Sequence, residues 1–211
     1  MKQKLLLPLP PIDQSYFESK LYQEGINCIA GVDEVGRGCL AGPVVAASVI
    51  LPRDCKIEGI NDSKKLSKKE RERLCDLIVK EAISYGIGVV DACEIDEINI
   101  LQATIKAMKK SVLSLLVKPQ YLLIDGNQPI DAGIQQKVII KGDVRSVSVG
   151  AASIVAKVLR DKMMAELEKK YPNFKFSIHK GYGTKLHLSE LEKSGPTPIH
   201  RMTFARVKSA C

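Results

Sequence analysis

Three apolar, β-prone runs in this chain each terminate in a carboxylate, with glycine close by, and that repetition limits how the chain can fold. Cys28-Ile29-Ala30-Gly31-Val32 delivers Asp33 and Glu34, with Gly36-Arg37-Gly38 close behind. Tyr121-Leu122-Leu123-Ile124 stops on Asp125-Gly126-Asn127, and Lys137-Val138-Ile139-Ile140 stops just before Lys141-Gly142-Asp143. A single Asp-Gly is ordinary turn chemistry. Three β-type runs each terminating in a carboxylate, in a chain with 32 Lys plus Arg against 24 Asp plus Glu, predict a sheet whose strand ends gather Asp33, Glu34, Asp125 and Asp143 at one rim. Neighbouring side chains on a strand point to opposite faces, so Asp33 and Glu34 serve one site only if the strand bends or ends there. The glycines that follow permit the bend and leave main-chain N–H and C=O groups open to a ligand.

The remaining pattern is that of an α/β protein. A short helix over 14–23 is stopped by Gly25, and the almost wholly apolar stretch 43–51 reads as a strand covered on both faces. It pairs antiparallel with the first strand, with Gly-Arg-Gly in the connecting loop. Ser67 and Glu70 have capping-box spacing with Leu66 as the staple, which predicts a helix to about residue 84 with Leu74, Leu77, Ile78 and Ile83 facing inward. Lys64 and Lys65 then lie just before a helix N-terminus, where the backbone favours phosphate. A third strand over 85–90 precedes a long amphipathic helix over 96–117, which Pro119 should end. A further helix over 148–171 opens with Gly150, Ala151, Ala152 and Ser153, small residues that allow close approach. Thr184 is placed to cap a helix to Ser194, and 199–207 reads as a final short helical piece.

The formal charge of +8 favours a polyanionic partner. Six cysteines (Cys28, Cys39, Cys55, Cys75, Cys93 and Cys211) form no C-x-x-C, which argues against structural zinc and, with no secretory signal, for reduced thiols in a cytosol. Leu5-Leu6-Leu7-Pro8-Leu9-Pro10-Pro11 is too short and proline-broken for a signal or a membrane span.

Carboxylates gathered at one rim repel and raise one another's pKa unless a cation neutralises them. Hard oxygen ligands without Cys or His favour Mg²⁺ or Mn²⁺. Such a site beside lysines suits in-line hydrolysis of a phosphodiester, with two ions about 4 Å apart serving the attacking and leaving oxygens. The tail from Tyr171 interleaves Phe174, Phe176, His179, Lys180, Gly181, Tyr182, Gly183, Thr184 and Lys185, a mix that stacks on sugars or bases while holding phosphates. His179, His187 and His200 all lie there and read as packing or substrate contacts rather than metal ligands. Asp161, inside a helix, reads as solvated or salt-bridged, with membership of the acidic group as the alternative.

These segments together resemble a known family. The motifs around Asp33 and Gly36-Arg37-Gly38, Asn61-Asp62-Ser63-Lys64-Lys65-Leu66, Leu123-Ile124-Asp125-Gly126-Asn127, Lys141-Gly142-Asp143, 151–158, His179-Lys180-Gly181-Tyr182 and His200-Arg201 are similar, in that order, to those of bacterial ribonuclease HII, the type 2 ribonuclease H. The resemblance implies a ribonuclease H-like fold: a central mixed sheet flanked by helices. It implies an N-terminal extension over 1–25, a catalytic domain over 26–183, and a C-terminal helical segment over 184–211 near the substrate groove. It also implies endonucleolytic cleavage of the RNA strand of RNA–DNA hybrids, including 5′ incision at single ribonucleotides in duplex DNA, leaving 5′-phosphate and 3′-hydroxyl ends.

Carried over residue by residue, Asp33, Glu34, Asp125 and Asp143 correspond to the metal-binding tetrad, with Asp33 as the bridging ligand. Gly36, Arg37 and Gly38 correspond to the loop whose main chain reads the 2′-hydroxyl. Tyr182 corresponds to the tyrosine that packs on the adjoining deoxyribose, and Lys64 and Lys65 to phosphate contacts; Ser153, Lys180 and Thr184 join them as substrate-binding residues. Gly150 and Thr203 each stand where serine is usual. The expected protein is a cytoplasmic monomer that binds hybrids and ribonucleotide-containing DNA, with replication or repair proteins as further partners. Two rivals remain open at this point: a basic hybrid-binding module without activity, and another metal-dependent phosphatase or nuclease of the same fold.

Overall fold

The protein is described, in a computed structural model, over residues 13–60 and 66–209. The proline-rich start, Lys64, Lys65 and Cys211 lie outside the described residues. The helices are α1 (Tyr16–Gln23), α2 (Lys68–Glu81), α3 (Ala92–Leu113), α4 (Val147–Lys170), α5 (Phe176–His179), α6 (Lys185–Ser194) and α7 (Ala205–Lys208). The strands are β1 (Ile29–Val35), β2 (Val44–Ile50), β3 (Ser84–Val90), β4 (Tyr121–Asp125) and β5 (Gln135–Ile139).

They make one sheet in the order β3-β2-β1-β4-β5, antiparallel from β3 to β1 and parallel from β1 to β5. The expected mixed sheet is present, and the Gly-Arg-Gly segment does connect the antiparallel β1 and β2. β2 is buried along its whole length because helices cover both faces. On one face Ala103 and Ala107 of α3 pack against Val44, Ala46 and Val90. On the other, Leu74 and Ile78 of α2 join Ala151, Ile154 and Val155 of α4 over Ala47 and Val49.

Several local expectations hold through their capping chemistry. Ser67 Oγ accepts the Glu70 amide at 3.2 Å to start α2, and Thr184 Oγ1 accepts the His187 amide at 3.3 Å to start α6. Others need correction. α2 ends at Glu81, so Ile83 falls outside it and is half exposed. α3 begins earlier than its apolar period suggested, because Asp91 Oδ1 caps it by accepting the Glu94 amide. It is broken at Asn99, where φ is 68° and the side-chain oxygen accepts the Leu101 and Gln102 amides, capping a second helical segment. Its end is set at Leu113, well short of Pro119, where Ser84 Oγ accepts the Leu116 and Val117 amides.

β1 also departs from expectation: it neither ends nor breaks at Asp33 but continues to Val35. The reason is asymmetric pairing. β2 accompanies it from Ala30 to Val35, whereas β4 leaves it after the Val32–Ile124 pair. Asp33 thus lies just beyond the paired stretch, level in register with Asp125, the last residue of β4, and Glu34 lies past it.

Candidate active site

Asp33 shares a face of β1 with Gly31, two residues back, and Gly31 decides how close α4 comes. A Cβ at Gly31 would lie 2.0 Å from the Ser148 carbonyl carbon, so only glycine admits the first turn of α4 against the strand. That approach carries Ser153, one and a half turns on, to Asp33, whose carboxylate accepts its hydroxyl. Asp33 Oδ1 also accepts the Glu34 amide at 2.7 Å.

Asp33, Glu34 and Asp125 each offer a carboxylate oxygen within 4.8 Å of the others, which is the spacing of ligands around one cation. Asp143 is not in that trio. It lies in a 3-10 turn, Gly142–Val144, and the Gly142 amide donates to Asp125 Oδ1 at 2.6 Å, so the fourth acid sits one residue from a group that binds the third. Asp143 is itself mostly buried. Gly150 makes this packing possible: a Cβ there would come within 2.9 Å of the Asp143 carbonyl oxygen.

Burial, the largest influence, pushes the Asp33 carboxyl well above its ordinary range, and repulsion from Glu34 and Asp125 adds to it, against the Ser153 and Glu34 hydrogen bonds. Burial also raises Glu34; Arg37 opposes the shift and Asp125 adds to it. Acids held this way favour a bound positive charge. All three donors are oxygens with no sulfur or imidazole among them, which fits a hard divalent cation.

The trio opens on a cleft of about 520 Å³ whose other walls are Val35, Arg71, Ser153, Lys157 and Tyr182. A roomier groove of about 720 Å³ beside Ala92, Met163, Leu167 and Ile199 is mostly apolar. No other group of three or more potential metal ligands among the described residues comes together at such spacing, so chemistry rather than volume marks the site. Tyr182 is partly exposed, with Lys157 Nζ 5.8 Å and the Arg160 guanidinium carbon 6.0 Å from its ring centre. Burial foremost, with the Cys39 thiol beside it, pushes its phenol up to about 12, so it stays neutral. Lys157 pairs with Asp161 at 2.8 Å, which settles Asp161 as salt-bridged.

The other expected substrate residues are placed as follows. Gly36-Arg37-Gly38 adjoins the acids, with Arg37 Nη1 3.5 Å from Glu34 Oε1. Lys180 is set back from the trio in an adjoining groove with Lys68, Arg71 and Lys162. Thr184 spends its hydroxyl on the α6 cap. The three histidines are buried and pack together, with His179 stacked on His187 at 4.1 Å. Arg71 and Lys157 were missed from the sequence. Lys157 had a signal, standing one turn after Ser153 on the same face of α4.

The profile of the family "Ribonuclease HII" matches residues 30–207. Ribonuclease HII of Caldanaerobacter subterraneus subsp. tengcongensis is 57% identical over 192 residues, covering 91% of this chain and 80% of that one. Ribonuclease HII of Enterococcus faecalis is 54% identical over 196 residues, 93% of this chain and 76% of its own. Among solved structures, ribonuclease H2 from Pyrococcus horikoshii OT3 superposes with a TM-score of 0.73 at 30% identity, covering 87% of this chain and 96% of that one. RNase HII of Archaeoglobus fulgidus, solved as a complex with PCNA, superposes with a TM-score of 0.69 at 29% identity, over 84% and 95% of the two chains. This chain therefore belongs to the ribonuclease HII family and is a ribonuclease H, an endonuclease for the RNA strand of RNA–DNA hybrids.

Proposed function

We propose that the protein incises duplex DNA on the 5′ side of single embedded ribonucleotides as well as cutting longer hybrids, leaving 5′-phosphate and 3′-hydroxyl ends. The observation that carries this reading is the position of the carboxylate trio in a cleft bounded by Tyr182 and adjoined by the 36–38 loop. Asp33, Glu34 and Asp125, with Asp143 next to them, would hold two Mg²⁺ or Mn²⁺ ions. Bound there, such ions supply Lewis acidity to the attacking water and to the leaving oxygen.

The chain's own groups do the rest. Ser153 orients Asp33, and the Gly142 amide orients Asp125. Lys157 and Arg71 place positive charge at the cleft for a phosphate, with Lys180 continuing it along the adjoining groove. The main chain at Gly36, Arg37 and Gly38 reads the 2′-hydroxyl. Tyr182, a neutral ring, packs on the sugar that follows and prefers one without that hydroxyl. The complex of the archaeal relative with PCNA supports a replication or repair partner for this chain also.

No helix among the described residues is long and apolar enough to cross a membrane. The test is a labelled DNA duplex carrying one ribonucleotide, incubated with Mg²⁺ and with chelator. Incision at the ribonucleotide with Mg²⁺ alone supports the reading. Equal cutting of an all-DNA duplex would instead favour a general nuclease of this fold, and binding without cutting would favour an inactive module.

A further inference from the structure

Arg160 and Arg201 are both fully buried, and neither forms an ion pair with a carboxylate among the described residues. A buried charge without a counter-charge is costly unless its donors are matched in full. Here main-chain carbonyls do the matching. Arg201 donates from Nη2 to Gly36 O at 2.7 Å, from Nη1 to Arg37 O at 2.8 Å, and from Nε and Nη2 to Gly42 O at 3.1 and 2.9 Å. Arg160 donates from Nε to Pro43 O at 2.8 Å, from Nη2 to Ala41 O at 3.1 Å and from Nη1 to Lys180 O at 2.8 Å. Gly36 meets Arg160 as well: its φ is +101°, and a Cβ would lie 2.3 Å from Arg160 Nε.

The consequence follows from the planarity of the peptide. In a trans peptide the C=O and the following N–H point in opposite directions. With the Gly36 and Arg37 carbonyls turned onto Arg201, the amides of Arg37 and Gly38 face away from it. Neither amide donates to another main-chain group among the described residues. A Cβ at Gly38 would meet nothing within 4 Å, so space is open beside them.

We propose that Arg160 and Arg201 are positioning residues for sugar recognition: a pair of guanidinium groups that aims the Arg37 and Gly38 amides at the ribose and ties that loop to the Tyr182 segment through Lys180. The proposal rests on the reading of the 36–38 loop given above. Lysine cannot substitute, because one ammonium lacks the planar fork that reaches three carbonyls at once. The depression of Arg201 to about 10, caused mainly by burial, agrees with a guanidinium held away from solvent.

The test uses the full-length protein with chelator present, so that no cleavage occurs and the acids make no metal contact. Fluorescence anisotropy compares a duplex carrying one ribonucleotide with the same duplex all in DNA, for the parent, Arg201→Lys and Arg160→Lys. Thermal melts check folding. The parent is expected to prefer the ribonucleotide duplex by roughly fivefold or more, the scale of one hydrogen bond. Each lysine variant is expected to melt cooperatively and bind the DNA duplex as the parent does, with the preference reduced to within about twofold. A parent preference retained by the folded variants overturns the proposal and leaves the loop reading intact. A parent without preference overturns the loop reading and the proposal with it. Variants that fail to fold would make the two arginines structural and also overturn it.

Discussion

Asp125 accepts the Gly142 amide at 2.6 Å, so the acid at the end of β4 is locked to the turn that carries Asp143. Asparagine keeps that acceptor and the shape but removes the charge. Asp125→Asn is therefore expected to lower the cleavage rate at least about 100-fold, the scale on which a preorganised charged group acts. Hybrid affinity, measured by filter binding with chelator, should stay close to the parent's. Cleavage at parental rates would show that the reaction does not depend on the Asp125 carboxylate and would favour a differently built site.

Tyr182 stands at the cleft wall with its backbone bridged to Cys39 and its ring partly exposed. Its truncation removes one packing face without disturbing the acids. Tyr182→Ala should slow incision at a lone ribonucleotide by roughly tenfold, within the range that one aromatic contact supplies. Gel assays of initial rates check this, and equal rates for mutant and parent would retire the role.

The acid at the end of β4 and the start of α2 were legible because their signals are local, whereas the role given to Tyr182 came from the family resemblance alone. An acid at the end of a β-prone run and a serine three residues before Glu70 can be seen without knowing the fold. What was not legible depends on partners far away in the chain. β1 was expected to break at Asp33, but whether a strand edge is paired depends on where β4 stops, which β1 does not encode. The Asn99 break leaves the apolar period of α3 running on almost undisturbed. Arg201 looks like any surface cation until its acceptor at Gly36, 165 residues away, is known.

The buried histidines give a prediction for pH. Thr197 donates its amide to His200 Nδ1 at 2.9 Å, so the neutral ring carries its proton on Nε2 and gives it to His187 Nε2 at 3.0 Å. His187 Nδ1–H then donates to Tyr182 O at 3.0 Å. Burial, with repulsion from His187, depresses His200 to about 4. The unfolded ring titrates near 6.5. The folded state therefore binds fewer protons between those values, and stability rises with pH through that window: it is present above about 6.5 and lost as pH falls towards 4. Stability should fall on acidification by as much as about 3 kcal/mol from this residue, and the melting temperature with it. His200→Gln should flatten that dependence; an unchanged slope would contradict the all-neutral arrangement.

Gly31 faces the Ser148 backbone so closely that a methyl group has nowhere to go. The obstruction is main chain at the start of α4, not a movable side-chain tip. Gly31→Ala should destabilise the protein by about 3 kcal/mol or more, the upper end for overpacking, and should lower activity by moving Ser153 off Asp33. Urea denaturation gives the first quantity, and a loss under about 1 kcal/mol would show that α4 can retreat.

The central claim is that acids from β1 and β4 together hold a divalent cation. Calorimetric titration of Mn²⁺ into the parent, Asp33→Asn and Asp125→Asn, with no nucleic acid present, tests it most directly. The parent is expected to bind Mn²⁺ with saturable heat, and each variant to weaken that binding by about tenfold or more. Identical isotherms for all three proteins would contradict a cation site made by these carboxylates.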